Sequence, residues 1–140
     1  MAKKMSLVET LNDLRARELA VIVQYMGHHY VITGADAAAL AGEFKEVAIT
    51  EMKHAEALAE RIDYLGGVPV TKPAVIKSGA TSVKDAATVN LASEEEAITL
   101  YTKAVAEAAE AGDITTRKLL EDILGDEEDH ANTFRTMLGK

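Results

Sequence analysis

The 140-residue sequence has no cysteine, no tryptophan and only two prolines, and aromatic residues make up 4% of it. Without cysteine there is no disulfide framework, no thiolate metal site and no cysteine nucleophile. The prolines, Pro69 and Pro73, lie close together. Elsewhere the chain lacks the residue that most strongly breaks a helix, so an all-α fold is expected. No apolar run approaches the ~18 residues that a helical membrane span needs, so no membrane partner is expected. Lys3 and Lys4 are not followed by the apolar segment of a signal peptide. Lysine and arginine total 15 against 23 acidic residues, for a net charge of -8. With that balance and no basic stripe, nucleic acid is not expected as the main partner. What is present is a globular mixture, 48% hydrophobic and 27% charged, in a chain long enough for one domain over residues 1–140. A soluble, cytoplasmic helical protein is the expectation.

Hydrophobic spacing predicts four long helices. The first runs from about Met5 to Thr33, with Leu7, Leu11, Leu14, Val21, Ile22 and Tyr25 on one stripe and Gly34 placed to end it. The second runs from about Asp36, a plausible N-cap, to Leu65, and Gly66-Gly67 stops it. The third runs from about Ser82 to Glu110 and the fourth from about Asp113 to Leu138, with Ser82 and Asp113 as caps. Helices one and two, and three and four, are joined by very short links, which makes each pair antiparallel. Between helices two and three lie sixteen residues, Gly66 to Thr81. Extended, they reach ~53 Å, more than the ~42 Å of a 28-residue helix. Helix three can therefore run parallel to helix two. The prediction is an up-down-down-up four-helix bundle with one long crossover.

The informative residues are those that interrupt the apolar stripes. Glu18 lies between Leu14 and Ile22, Glu51 between Val47 and Ala55, Glu94 between Leu91 and Ile98, and Glu127 between Leu124 and Ala131. His54 and His130 follow Glu51 and Glu127 by one turn. Each glutamate is near the middle of its helix, and in an antiparallel bundle the middles meet at one level. Glu18 and Glu51 are 33 residues apart, as are Glu94 and Glu127. An offset of 76 relates Glu18 to Glu94, Glu51 to Glu127, His54 to His130, Tyr25 to Tyr101 and Ile22 to Ile98. One helical hairpin is thus used twice, with two equivalent ligand sets about a pseudo-twofold axis.

Burying one uncompensated carboxylate costs several kcal/mol, and a whole domain is stable by only about 5–15 kcal/mol. Four ionised glutamates in one core therefore need neutralising, and two divalent cations supply the matching charge. Carboxylate with imidazole suits iron, manganese or zinc better than calcium. A glutamate from each of two helices plus Glu-x-x-His from each of two others is the di-iron or di-manganese carboxylate arrangement. Glu51 and Glu127 are the natural bridging ligands and Glu18 and Glu94 the terminal ones. The neighbouring Glu95, Glu96, Asp126, Glu128 and Asp129 read as a solvated acidic face, with attraction of Fe(II) as an alternative role. His28 and His29 read as structural or surface residues, with accessory iron binding as the alternative. Tyr25 and Tyr101 read as core tyrosines, or as hydrogen-bond donors that orient ligand carboxylates.

The motif Glu18, Glu51-Met52-Lys53-His54-Ala55-Glu56, Glu94 and Asp126-Glu127-Glu128-Asp129-His130, with Gln24-Tyr25 and Glu60-Arg61-Ile62, resembles the ferritin-like superfamily. Within it the chain looks most like bacterioferritin, ungapped from about Glu18 through His130. The resemblance implies a ferroxidase centre with two iron ions per subunit, at which Fe(II) is oxidised by O2 or H2O2. It also implies a homo-oligomer built from dimers, with ferric mineral stored in a hollow shell. Met52 matches the family position that ligates haem b at a twofold subunit interface; the plain alternative is a methionine filling an interface gap. Bacterioferritins carry a fifth short helix lining the fourfold axis of a 24-subunit shell. This sequence runs to Lys140 directly after helix four, so the likeness is to a short form, with 24, 12 or 2 subunits left open. A rubrerythrin-like peroxidase is the second enzyme reading, although such relatives use an extra carboxylate where this chain has Ala97 and usually a cysteine-rich module. A DNA-protecting relative with its metal site between subunits, a haem electron carrier and a bundle with an inert metal site are the remaining readings.

Overall fold

The computed structural model describes residues 2–140. Four helices form: α1 (Ala2–Val31), α2 (Ala37–Tyr64), α3 (Val83–Glu110) and α4 (Ile114–Met137). α1 begins three residues before the position that spacing predicts and ends two before it. Asp36 takes the N-cap position of α2, but its backbone is already helical and its side chain makes no capping hydrogen bond. That expectation is corrected. Ser82 and Asp113 do cap, accepting from the Asp85 and Thr116 amides. Gly66 has φ +87°, a conformation that costs other residues strain, and its turn closes with the Gly67 amide donating to the Ile62 carbonyl at 2.9 Å.

α1 packs chiefly on α2 and α3 chiefly on α4. The crossover lies along α1. The Asn12 side chain donates to Val68 O and accepts from Val70 N, Ala74 N donates to Ala16 O, and Lys77 N donates to Gln24 Oε1. The segment thus advances in the direction of α1 and delivers α3 at the far end, where Thr33 and Ser82 form an isolated parallel bridge. α3 therefore runs antiparallel to α1 and parallel to α2, the predicted up-down-down-up order. The bridge itself has no signal in the helical periodicity.

The core divides into two apolar clusters. One contains Val21, Tyr25, Phe44, Val47, Leu91 and Phe134. The other contains Leu7, Leu11, Leu58, Ile62, Leu120 and Ile123. Ile22 and Ile98, placed on the inner stripes by sequence, are only half-buried.

Asp113 holds the start of α4 in two ways. It caps Thr116 and accepts from the Arg61 guanidinium at 2.9 Å, tying α4 to α2. Asp113→Ala should lower stability by about 1–2 kcal/mol, read as a fall in the urea midpoint with unchanged slope.

Candidate metal centre

The inner-stripe glutamates are all essentially inaccessible: Glu18, Glu51, Glu94 and Glu127 are 0–1% exposed, and His54 and His130 are buried beside them. The i, i+3 spacing places each histidine on the same helix face as its glutamate. The two imidazole rings stack with centroids 6.2 Å apart. His54 Nδ1 lies 3.1 Å from Glu51 Oε1, 3.4 Å from Glu127 Oε1 and 3.5 Å from Glu18 Oε2. His130 Nδ1 lies 3.3 Å from both Glu51 Oε1 and Glu127 Oε1, and 3.7 Å from Glu94 Oε1. Glu51 and Glu127 thus each present one oxygen to both histidines, whereas Glu18 faces His54 and Glu94 faces His130.

Six buried atoms at this level make no hydrogen bond: Glu18 Oε2, Glu51 Oε1, His54 Nδ1, Glu94 Oε2, Glu127 Oε1 and His130 Nδ1. Buried polar atoms are normally paired. Six orphans from six different residues, converging on one spot, have the donor chemistry of a cation site. They fall into two overlapping sets, Glu18-Glu51-His54-Glu127 and Glu51-Glu94-Glu127-His130, with ligand atoms in each set within 4.8 Å of one another. The residues present therefore fit a pair of divalent ions.

The tyrosines cross over. Tyr25, on the helix of Glu18, donates to Glu94 Oε1 at 2.7 Å; Tyr101, on the helix of Glu94, donates to Glu18 Oε1 at 2.8 Å. Each takes one oxygen of its carboxylate and leaves the other, Glu94 Oε2 or Glu18 Oε2, without a hydrogen bond. Burial and the nearby carboxylate raise both phenol pKa values well above their ordinary range, so both stay donors. Periodicity places these tyrosines in the core; the crosswise pairing follows from the antiparallel register of α1 and α3.

Asp126 is exposed, as expected, but makes a contact that its sequence reading did not include. Its side chain is half-exposed, yet Oδ2 lies 2.8 Å from His54 Nε2. Its adjacency to Glu127 is the signal that could have marked it. Glu95, Glu96, Glu128 and Asp129 are exposed, as expected. His28 is buried against Phe44, with neither ring nitrogen hydrogen-bonded, whereas His29 Nδ1 lies 2.6 Å from the Ala41 carbonyl oxygen. Met52 points outward, 52% exposed.

The Ferritin family model, described as a ferritin-like domain, matches residues 8–140. The chain belongs to the ferritin-like family. Bacterioferritin of Desulfovibrio desulfuricans is 37% identical to this ferritin-like chain, over 96% of the chain and 75% of that protein. Its X-ray structure, described as showing the diiron site in different catalytic states, gives a TM-score of 0.91 at 36% identity, covering 97% of this chain and 80% of that one. A bacterioferritin-related protein from Bacteroides fragilis, described as a dodecameric thioferritin, gives 0.91 at 30% identity, over 97% of this chain and 86% of that one. A nutrient stress-induced DNA-binding protein of a Synechococcus strain is 31% identical, over 88% of this chain and 75% of that protein. Among the described residues, no helix of this ferritin-like bundle is long and apolar enough to cross a membrane.

Protons respond to the same crowding. Burial, reinforced by Glu127, raises the Glu18 carboxyl to about 7. Burial likewise raises Glu94 to about 8 and Glu51 well above the ordinary 4.5. Burial alone would depress both imidazoles, but the surrounding carboxylates hold His54 and His130 well above their usual value. Glu127 goes the other way: burial would raise it, and the two histidines keep it low. A raised pKa means that the folded protein keeps protons the unfolded chain has released, so stability falls as pH rises. Protein stripped of metal by a chelator should lose stability from about pH 5 upward as Glu18 and Glu94 ionise near 7 and 8. Urea midpoints at pH 5, 7 and 9 would show the trend, and Glu94→Gln should flatten it.

Proposed function

We propose that this chain is a ferroxidase and iron-storage or detoxification protein, with residues 1–140 forming one domain. Glu18, Glu51, His54, Glu94, Glu127 and His130 would hold two Fe(II) substrates within a single subunit. The observation that carries the reading is the pair of overlapping four-residue sets sharing Glu51 and Glu127. Two Fe(II) each give up one electron, and the pair supplies the two electrons that reduce H2O2 to water or O2 to H2O2. The protein's part is electrostatic and positional. Glu51 and Glu127, each facing both histidines, would be shared by the two ions, which would let both deliver electrons to one oxidant. Glu18 and Glu94 complete each half, held by Tyr101 and Tyr25. Four carboxylates against two dications give a neutral layer, which is what allows it to lie inside the bundle.

Two observations favour this over the alternatives. The position where a rubrerythrin-like peroxidase would place its extra carboxylate is Ala97, a buried methyl. The net charge of -8 works against binding to the phosphate backbone, so DNA binding is not part of the reading. Homo-oligomerisation from dimers is supported by the exposed apolar residues Val23, Tyr30 and Met52 on α1 and α2. Met52 would offer its thioether to a haem b shared with a second copy, and the exposure of that side chain fits such a role.

Glu51→Ala or Glu127→Ala should abolish rapid Fe(II) oxidation, followed by absorbance of the ferric product; wild-type rates in both variants would refute the assignment. Tyr25→Phe should slow oxidation without unfolding the protein, since it frees one Glu94 oxygen and leaves the ligand in place. A haem absorbance band in the purified protein, lost in Met52→Leu, would establish the haem site.

A further inference from the structure

The two halves of the centre match in their glutamates, histidines and crosswise tyrosines, and differ at one point. Asp126 Oδ2 lies 2.8 Å from His54 Nε2. An ionised carboxylate only accepts, so Nε2 carries a hydrogen, and Nδ1, which faces Glu18, Glu51 and Glu127, is the ring nitrogen that would give its lone pair to an ion. The bond fixes both the tautomer and the rotation of the ring. The 76-residue offset that relates every other member of the centre pairs Asp126 with Thr50, the residue before Glu51. Thr50 brings no charge, and its hydroxyl donates to the Glu46 carbonyl of its own helix at 3.3 Å. Among the described residues, no side chain hydrogen-bonds His130 Nε2, the nitrogen equivalent to the one Asp126 holds on His54. One imidazole is therefore braced by a carboxylate at its Nε2 and the other is not.

We propose that Asp126 is a positioning residue that makes the two ion positions unequal. The position formed by Glu18, Glu51, His54 and Glu127 binds first and holds tightly, while the one formed by Glu51, Glu94, Glu127 and His130 is the exchangeable one. The physical basis is that an anionic partner behind a ligating histidine orients the ring and makes it a better donor, an effect worth about 10- to 100-fold in metal affinity. The proposal rests on reading the cluster as a two-metal centre, and the test separates the two.

The test uses the intact protein and Co(II), which does not require an oxidant and reports its ligand set in visible absorbance. Calorimetric and spectroscopic titration should show two ions per chain in two resolved steps, separated by at least about tenfold. Asp126→Ala should weaken the first step by about 10- to 100-fold and leave the second unchanged. Asp126→Asn, which keeps an oxygen acceptor without the charge, should recover part of that loss. Thr50→Asp should strengthen the second step. His130→Ala should remove the second step and spare the first. Two equal steps in the wild type, or an Asp126→Ala effect spread evenly over both, would overturn the inequality while leaving the two-metal reading intact. Binding of fewer than two ions by folded wild-type protein would overturn both. A merely structural role for Asp126 would lower thermal stability without singling out one step.

Discussion

Four carboxylates in one cross-section of a narrow helical bundle set the terms for everything around them. Charge taken out of water must meet opposite charge or a proton. Two imidazoles and two phenols from the same layer supply part of that compensation, and the six atoms left unpaired define where a cation belongs. The apolar core is split to make room: one cluster centred on Phe44 and Phe134 lies on one side, another centred on Leu11, Leu58 and Leu120 on the other. The bundle is thus two ordinary helical cores joined through a polar plane. Stability and site chemistry are tied together at that plane.

The internal repeat explains the economy of the arrangement. A hairpin contributing one glutamate from its first helix and Glu-x-x-His from its second, used twice, yields two carboxylates that face both histidines and two that each face one. The crosswise tyrosines follow from the same symmetry, since antiparallel packing of α1 and α3 sets Tyr25 against Glu94 and Tyr101 against Glu18. Departures from the repeat are therefore the places to look for specialisation. Asp126 opposite Thr50 is one at the centre itself. The crossover is another, since it lies along α1, pinned by Asn12, Arg15 and Gln24.

Much of this was legible in one dimension because the signals are periodic. Helix existence, the two short links and the long crossover followed from apolar spacing and from where glycine and proline fall. The six clustered residues stood out because acidic side chains at the centre of apolar stripes conflict with burial, and because they repeat at one offset. Asp126 was not legible. It lies off the inner stripe, it is half-exposed, and its partner is 72 residues away. Its role depends on how α2 and α4 approach one another, and helical periodicity carries nothing about that distance. The Asp36 cap failed for a related reason: residue type permits a cap, but the chain at Asp36 has already turned helical.

The sequence by itself determined most of the inward-facing residues, how many helices form and in what order they run, because burial and helix geometry act locally and recur every turn. Tertiary structure alone decided which oxygen of each carboxylate is taken by a tyrosine and which remains free. It also decided which histidine is braced from behind, and that Glu51 and Glu127 stand between both imidazoles. Those are matters of distance and direction between side chains on different helices. They are set by packing across the bundle, which no spacing along a single chain encodes.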